Sequence, residues 1–404
     1  MLNAKLIRGS FVLLIAFGLF NFLGFAYQFA MARFLSLSEY GILATLFAMI
    51  YIFAIFSESI QTVITKYVTH SENPGQIRNL LRKSMNKGKF IATVGFGLYL
   101  IASLLFTKLF DIPYLLLALN GTLLYLVFLL PITRGTLQGR KQFIPLGMNL
   151  VVESSFKLLF SIGFVLIGWK VYGAIAGIIL GTSVAFLLSF ISLRDIYKSR
   201  EENSNTKEIY SYAKPMLIIT SIIVIFYSMD VILAKMLFSP EAAGAYAIAS
   251  ILGKMILWIS VPVGKAMFPL SAESSQKGER KSNVFNTALV ILGAIIIAML
   301  TIFYFFSEFI VTFFSGKPVP EAAEILFYLG IAFSAIALAN IILLYRLSLG
   351  SIKNSVILIV CNIFEIALLL FVSSSLKSFS IAFVVASIIL LISSILFVRF
   401  NRHI

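Results

Sequence analysis

Long apolar runs alternate with short polar segments along the whole chain. A helix that crosses a bilayer needs about 20 mostly apolar residues. That rule predicts twelve spans, at residues 11–32, 41–63, 90–110, 114–133, 143–168, 173–193, 215–238, 246–268, 284–306, 322–345, 355–376 and 378–398. Proline punctuates the pattern. Pro145 and Pro215 fall just inside helix starts, where a missing N–H costs least, and Pro113, Pro240, Pro318 and Pro320 fall in turns. The first run carries Asn21 and Gln28 and is longer than the core of a cleaved signal, so it reads as a retained first span. The predicted fold class is all-α integral membrane.

Composition narrows the class further. Of 404 residues, 60% are hydrophobic and only 12% are charged, about half the charged share of a soluble domain. A water-facing surface cannot be covered with so few charges. The net charge is +15. The basic residues sit between apolar runs, which points to anionic lipid headgroups and away from nucleic acid. Cys361 is the one cysteine, and His70 and His403 are the two histidines. They give no disulfide, no metal-ligand spacing and no Cys/His nucleophile pair, so no metal or other cofactor is expected.

The basic residues also orient the spans. With the N-terminus in the cytoplasm, the inner segments hold 24 of the 32 Lys and Arg and the outer ends hold 6, which leaves Lys157 and Lys254 inside spans. This positive-inside bias places both termini in the cytoplasm of a multi-pass cell-membrane protein. No loop is long enough to fold as a domain. The inner segment Arg194–Lys214 reads as a flexible hinge, dividing the chain into an N-terminal six-helix lobe (1–198), a linker (199–214) and a C-terminal lobe (215–404).

The two halves carry matched features. Arg33 precedes Leu35-Ser36-Leu37-Ser38-Glu39-Tyr40-Gly41, and Lys235 precedes Leu237-Phe238-Ser239-Pro240-Glu241-Ala242-Ala243-Gly244, at an offset near 203. Arg134, Gly139 and Glu153 match Arg346, Gly350 and Glu365 at an offset of about 212. Parallel repeats of this kind mark transporters with a site at the repeat interface.

The informative side chains are the charges inside spans. Glu153 and Lys157 lie in the fifth, Asp230 in the seventh, Lys254 in the eighth and Glu365, one turn beyond Asn362, in the eleventh. Facing lipid, each would cost roughly 2.5–3.5 kcal/mol. Five together would cost about 15 kcal/mol, more than a typical net stability. They are therefore expected to face one another or a wet cavity. Glu153 and Lys157 stand at i, i+4 in the favourable order, either as a self-neutralising pair or as an ion-coupling element. Lys254 begins a cationic track toward Lys265, about 20° away in helical phase and roughly 16 Å along the axis, or pairs with Asp230 on the neighbouring helix, and the two are compatible at different stages of a cycle. Asn21 and Gln28 share a face of the first span. Ser57, Glu58, Gln61, Thr62 and Thr65 line the inner end of the second; both sets fit cavity lining or interhelical hydrogen bonds. Gly173, Gly177 and Gly181 read as a close-packing stripe.

The segment Arg134-Gly135-Thr136-Leu137-Gln138-Gly139 with Phe143 and Glu153 resembles Wzx-type polysaccharide flippases. So do Met229-Asp230-Val231-Ile232-Leu233-Ala234-Lys235, Ser239-Pro240-Glu241 with Gly244-Ala245-Tyr246, and Arg33 with Ser38-Glu39-Tyr40-Gly41. These proteins belong to the multidrug/oligosaccharidyl-lipid/polysaccharide exporter (MOP) superfamily. The resemblance implies two six-helix lobes around a central cavity that opens alternately to each side. It implies an oligosaccharide on a polyprenyl mono- or diphosphate as substrate, and leaves open contact with glycan assembly proteins. By position, Lys254 is the expected phosphate contact. Lys265, Asn21, Gln28 and Arg33 complete the expected substrate-binding set, and Glu153, Lys157, Asp230 and Glu365 are assigned to ion coupling or gating, with H⁺ or Na⁺ both open. The first span departs from some relatives in lacking a buried basic residue.

Two other classes compete. A cation-coupled multidrug antiporter of the same superfamily would suit an acid-dominated cavity. A membrane enzyme would need a catalytic loop at the membrane face, and the chain shows no sizeable outer loop, DxD-like motif or phosphate-cradling Gly-rich loop. The expected function is export without covalent chemistry.

Overall fold

The structure is a computed structural model that describes residues 2–71, 73–204, 214–276, 282–348 and 356–400, with side chains left out at 2–10, 214–216, 265, 268–270, 272–276, 282–283 and 397–400. The described residues are almost entirely helical. The helices are α1 (Leu2–Phe34), α2 (Leu37–His70), α3 (Pro74–Phe110), α4 (Tyr114–Gly121), α5 (Leu123–Gly139), α6 (Phe143–Phe164), α7 (Lys170–Ser192), α8 (Arg194–Lys198), α9 (Lys214–Leu237), α10 (Pro240–Gln276), α11 (Ser282–Ser315), α12 (Pro320–Ser348), α13 (Val356–Phe371) and α14 (Leu376–Phe400).

Ten described helical stretches are long and apolar enough to cross a membrane. One of them runs through α6 and α7, joined by a π-helical turn at Val165–Trp169 where Gly168 takes φ +95°. That left-handed residue breaks the run into two spans. The shorter apolar helix α13 supplies the twelfth. Surface and interior have the polarity of a membrane protein. Phe90, Leu98, Ile101, Phe305, Phe309 and Phe371 are exposed, while Asp230 and Glu365 are 0% exposed. The chain is a multi-pass membrane protein.

The helices overrun the predicted spans. α3 has 37 residues, about 55 Å at 1.5 Å per residue, against roughly 30 Å of hydrocarbon. Its exposed face is basic at Arg82, Lys83, Lys87 and Lys89 and turns apolar from Phe90. Hydropathy marks where the lipid begins; backbone hydrogen bonding carries the helix on into water. Asn73 caps this helix by accepting from the Gly75 N–H at 2.8 Å, with Pro74 at the first helical position.

The chain divides into two compact units. One comprises Met1–Glu39 with Met49–Leu217, the other Tyr40–Ala48 with Ile218–Ile404. In the first, α6 and α7 pack closely along the predicted glycine stripe. A Cβ on Gly177 would stand 2.3 Å from the Ser161 nitrogen, and one on Gly181 would stand 2.8 Å from Lys157 Cα. Leu80, Leu81, Leu137 and Leu146 fill a core beside α8. The second unit is built on α12, most of whose residues are buried. Phe333 meets Phe383 at 5.5 Å, and Tyr246 meets Phe379 at 5.3 Å.

Both repeated turns are serine-capped helix starts. Ser36 and Glu39 form a capping box at α2, satisfying N–H groups that a helix end leaves open. At α10, Ser239 Oγ accepts from the Ala242 N–H at 3.3 Å. Within the second unit the repeated glycines touch: a Cβ on Gly41 would lie 3.0 Å from Gly244 Cα.

The linker is not free over its described part. Residues 199–204 lie along the start of α3. Arg78 Nη1 donates to the Ser199 carbonyl at 2.5 Å, Asn79 Nδ2 to Glu201 at 2.5 Å, and Asn73 Nδ2 to Glu202 at 2.6 Å. Arg82 pairs with Glu201 at 2.8 Å. The sequence does not show these ties because the partners, on the water-exposed end of α3, are far away in the chain.

Candidate functional site

The five charges predicted inside spans fall into two clusters, one in each unit. In the second unit, α9 presents Asp230 and α10 presents Lys254 one turn after Ser250 and two turns after Tyr246. Lys254 Nζ lies 3.2 Å from Asp230 Oδ1. Ser250 Oγ donates to Asp230 Oδ2 at 2.7 Å, and the Tyr246 hydroxyl does so at 3.4 Å. The i, i+4, i+8 spacing of Tyr246, Ser250 and Lys254 sets three donors on one face of α10. Aromatic rings flank the ammonium, with the Phe333 centroid at 5.4 Å and that of Tyr227 at 5.9 Å. The pairing of Lys254 with Asp230 that the sequence allowed is present. The side chain of Lys265 lies outside the described residues.

Glu365 of α13 joins this cluster electrostatically, acting on both Asp230 and Lys254. It is fully buried, and neither carboxyl oxygen has a hydrogen-bond partner among the described residues. One turn before it, Asn362 donates to the Leu358 carbonyl at 3.1 Å while its own Oδ1 is unpartnered. A buried polar group without a partner is costly, and such groups gather where a protein binds something. The cluster has two carboxyls for one ammonium.

The first unit reverses that ratio. Glu153 of α6 meets Arg134 Nη2 of α5 at 2.5 Å. Its other oxygen meets Lys157, the predicted i, i+4 partner, and Thr182 Oγ1 of α7 at 3.3 Å. Asn149 holds the arginine, accepting from its Nε at 2.8 Å, and donates onward to the Ala185 carbonyl at 2.6 Å. Arg134 was counted with an inner loop; it lies inside α5 and is 9% exposed. Arg346 likewise lies inside α12 and is buried. Both belong in helix interiors and not in loops.

Asn21 is exposed and Gln28 is buried, although they share a helix face. Arg33 is exposed, with its guanidinium 4.3 Å from the Phe29 ring. The polar stripe on α2 makes interhelical hydrogen bonds: Gln61 Nε2 donates to Gln138 Oε1 at 2.8 Å, and Thr65 Oγ1 to the Gly135 carbonyl at 3.2 Å. The sequence reading missed Arg134, Asn149, Thr182, Ser250 and Tyr246. The Arg134/Arg346 match in the repeat was the signal for the first of these. The rest follow only from helix packing.

Outside the membrane, Asp195 on α8 receives both Arg140 Nη atoms, at 3.0 and 2.5 Å. The guanidinium holds its carboxyl below the usual aspartate range.

Comparison with known proteins bears on these clusters. No curated protein sequence matches the chain. Among solved structures it resembles a multidrug resistance MATE family transporter of the MOP superfamily in an inward-facing conformation. That match has TM-score 0.79 and 12% identity, over 95% of this chain and 94% of the other. It also resembles the lipid II flippase MurJ in an inward closed conformation (TM-score 0.71, 14% identity, 96% and 87% coverage). A third likeness is a MOP superfamily transporter from Pyrococcus furiosus described by the reverse polarity of its binding pocket (TM-score 0.65, 12% identity, 98% and 95% coverage). At these identities the likeness is one of fold. Residues 6–275 match the family of polysaccharide biosynthesis proteins. The match covers most of the chain, including both the Arg134–Glu153 pair and the Asp230–Lys254 pair, and the chain belongs to that family of polysaccharide biosynthesis proteins, with the fold that these transporters share.

Proposed function

We propose that this protein carries an oligosaccharide linked to a polyprenyl mono- or diphosphate across the cytoplasmic membrane by alternating access, for assembly of a cell-surface glycan. The family supports a role in polysaccharide assembly, and one structural neighbour is itself a flippase of a lipid-linked substrate. Sugars and phosphate cannot cross hydrocarbon unaided because stripping them of water is prohibitive. A protein route lowers that barrier while the prenyl tail stays in lipid.

The observation that carries a transport reading is Glu365, a carboxyl buried in a membrane span, without a hydrogen-bond partner among the described residues, beside an Asp230–Lys254 ion pair. A group so placed is suited to take up and release H⁺ or Na⁺. In this reading, cation binding at Glu365 changes the charge of its cluster between the two ends of the cycle, while Lys254 stays with Asp230. Asn21, Gln28, Arg33 and Lys265 are secondary contacts for the head group and sugars. Both termini face the cytoplasm, as the inward bias of Lys and Arg supports.

The test is deletion of the gene and complementation. Loss of surface glycan with build-up of a lipid-linked oligosaccharide is expected, restored by the wild-type chain and not by Lys254→Ala or Glu365→Gln at equal membrane abundance. Unchanged surface glycan in the deletion strain would reject the reading. The excess of carboxyls over ammonium among Asp230, Lys254 and Glu365 favours one alternative, a cation-coupled multidrug antiporter. In that case deletion would sensitise cells to cationic drugs and leave the glycan intact.

A further inference from the structure

The first unit holds a charge arrangement that ion coupling does not explain. Arg134 and Lys157 both lie on one carboxylate, Glu153. Each oxygen of Glu153 is committed, one to Arg134 and the other to Lys157 and Thr182. Arg134 is fixed from behind by Asn149, which is itself anchored on Ala185. With all three ionised, the cluster carries one positive charge in excess. The cluster of Asp230, Lys254 and Glu365 has two carboxyls for one ammonium and so has no positive charge to spare. An anion is therefore attracted to the first and not to the second.

Exposure points the same way. The Lys157 side chain is 25% exposed, against 7% for Lys254. Lys254 is enclosed by Asp230, Phe333 and Tyr227, its charge already matched. Lys157 is reachable, has a ring beside it (Phe20, centroid 6.0 Å), and stands well inside a span. An ammonium with surplus charge facing acyl chains at that depth is unfavourable; facing water and an anion it is not.

We propose that Arg134, Glu153 and Lys157 form the anion-binding site of this transporter, with Lys157 as the contact residue. The ligand class is a phosphate ester or the carboxylate of an acidic sugar. Glu153 positions the ammonium, and Arg134 cancels the charge of Glu153 so that Lys157 keeps its own for the ligand. The assignment rests on the export reading only in taking the substrate to be anionic. It places the phosphate contact on Lys157 in the first unit, where the sequence pointed to Lys254 in the second.

The test is binding of farnesyl phosphate to the purified full chain in phosphatidylcholine nanodiscs, with farnesol and glucuronate as comparison probes. Farnesyl phosphate is expected to bind and farnesol not. Lys157→Gln should weaken binding at least tenfold, and Lys157→Arg should retain it. Wild-type affinity in Lys157→Gln would overturn the proposal. A second measurement needs no variant. Acetylation of Lys157 by acetic anhydride, read by mass spectrometry, should slow when the site is filled. Protection by farnesyl phosphate assigns the anion as phosphate, and protection by glucuronate alone assigns it as an acidic sugar. Protection by neither rejects the site. The two readings fail separately. Normal glycan export by Lys157→Gln would remove this site and leave the function. Protected Lys157 in a protein whose deletion spares the glycan would keep the site and remove the function.

Discussion

Asp230 and Lys254 form a fully enclosed ion pair, 3.2 Å apart, with a second carboxyl, Glu365, acting on both and hydrogen-bonded to neither. Enclosed pairs are weak sources of stability, but breaking one leaves an uncompensated charge and costs about 3–5 kcal/mol. Asp230→Asn is therefore expected to lower the thermal midpoint in detergent markedly. The double variant Asp230→Asn with Lys254→Met removes both charges and should recover most of the loss. A double variant as unstable as the single one would show that the pair holds the helices together by more than charge compensation.

Glu365 gives the opposite expectation. Its carboxyl makes no hydrogen bond among the described residues, so Glu365→Gln should leave the thermal midpoint unchanged or raise it. Export in proteoliposomes should nevertheless lose its dependence on an imposed H⁺ or Na⁺ gradient. A variant that keeps the gradient dependence would assign Glu365 a structural role.

The glycine stripe between α6 and α7 allows a sharp packing test. A methyl group on Gly177 would fall 2.3 Å from the Ser161 backbone nitrogen, and backbone cannot swing aside as a side-chain end can. Overpacking typically costs 1–3 kcal/mol. Gly177→Ala is expected to lower the thermal midpoint, and Gly163→Ala, with nothing within 4 Å, is expected to leave it near wild type. Equal midpoints for the two variants would mean that α6 and α7 can move apart freely.

How much of this was legible in the sequence follows from what each signal measures. Hydropathy reports contact with lipid, so twelve spans could be counted, including the pair joined at Gly168. It does not report helix ends, and the fourth span was closed at residue 133, one position before Arg134. A residue that completes the Glu153 cluster was thereby filed with a loop. Pairs on one helix, such as Glu153 and Lys157, are fixed by helical geometry and were readable. Pairs between helices, such as Arg134 and Glu153, depend on rotation and depth, which a single sequence does not encode. The repeat carried part of that information. It matched Arg134 and Glu153 to Arg346 and Glu365, and the match is instructive where it fails: the first pair is joined at 2.5 Å, and no hydrogen bond joins the second. The two halves share a pattern, and their charges are used differently.

The linker supplies a last prediction. Residues 199–204 are tied to α3 by Arg78, Asn79, Arg82 and Asn73, and by two further bonds in which Asn79 Oδ1 accepts from Ser204, from its N–H at 3.3 Å and its Oγ at 2.9 Å. A polar segment so held is protected from proteases, which need an extended, mobile chain. Asn79 is the hub, bonding through both ends of its amide. Asn79→Ala should therefore expose the segment, with Arg82→Ala, whose side chain is mostly exposed, having a smaller effect. Limited proteolysis of inside-out vesicles with trypsin at Arg200 checks this. Slow cleavage is expected in the wild type and several-fold faster cleavage in Asn79→Ala, with little change in global stability because the contacts lie at the aqueous end of one helix. Rapid cleavage of the wild-type chain would mean that the first part of the linker is released from α3 in the membrane, and the clamp would then be no barrier to relative motion of the segments it joins.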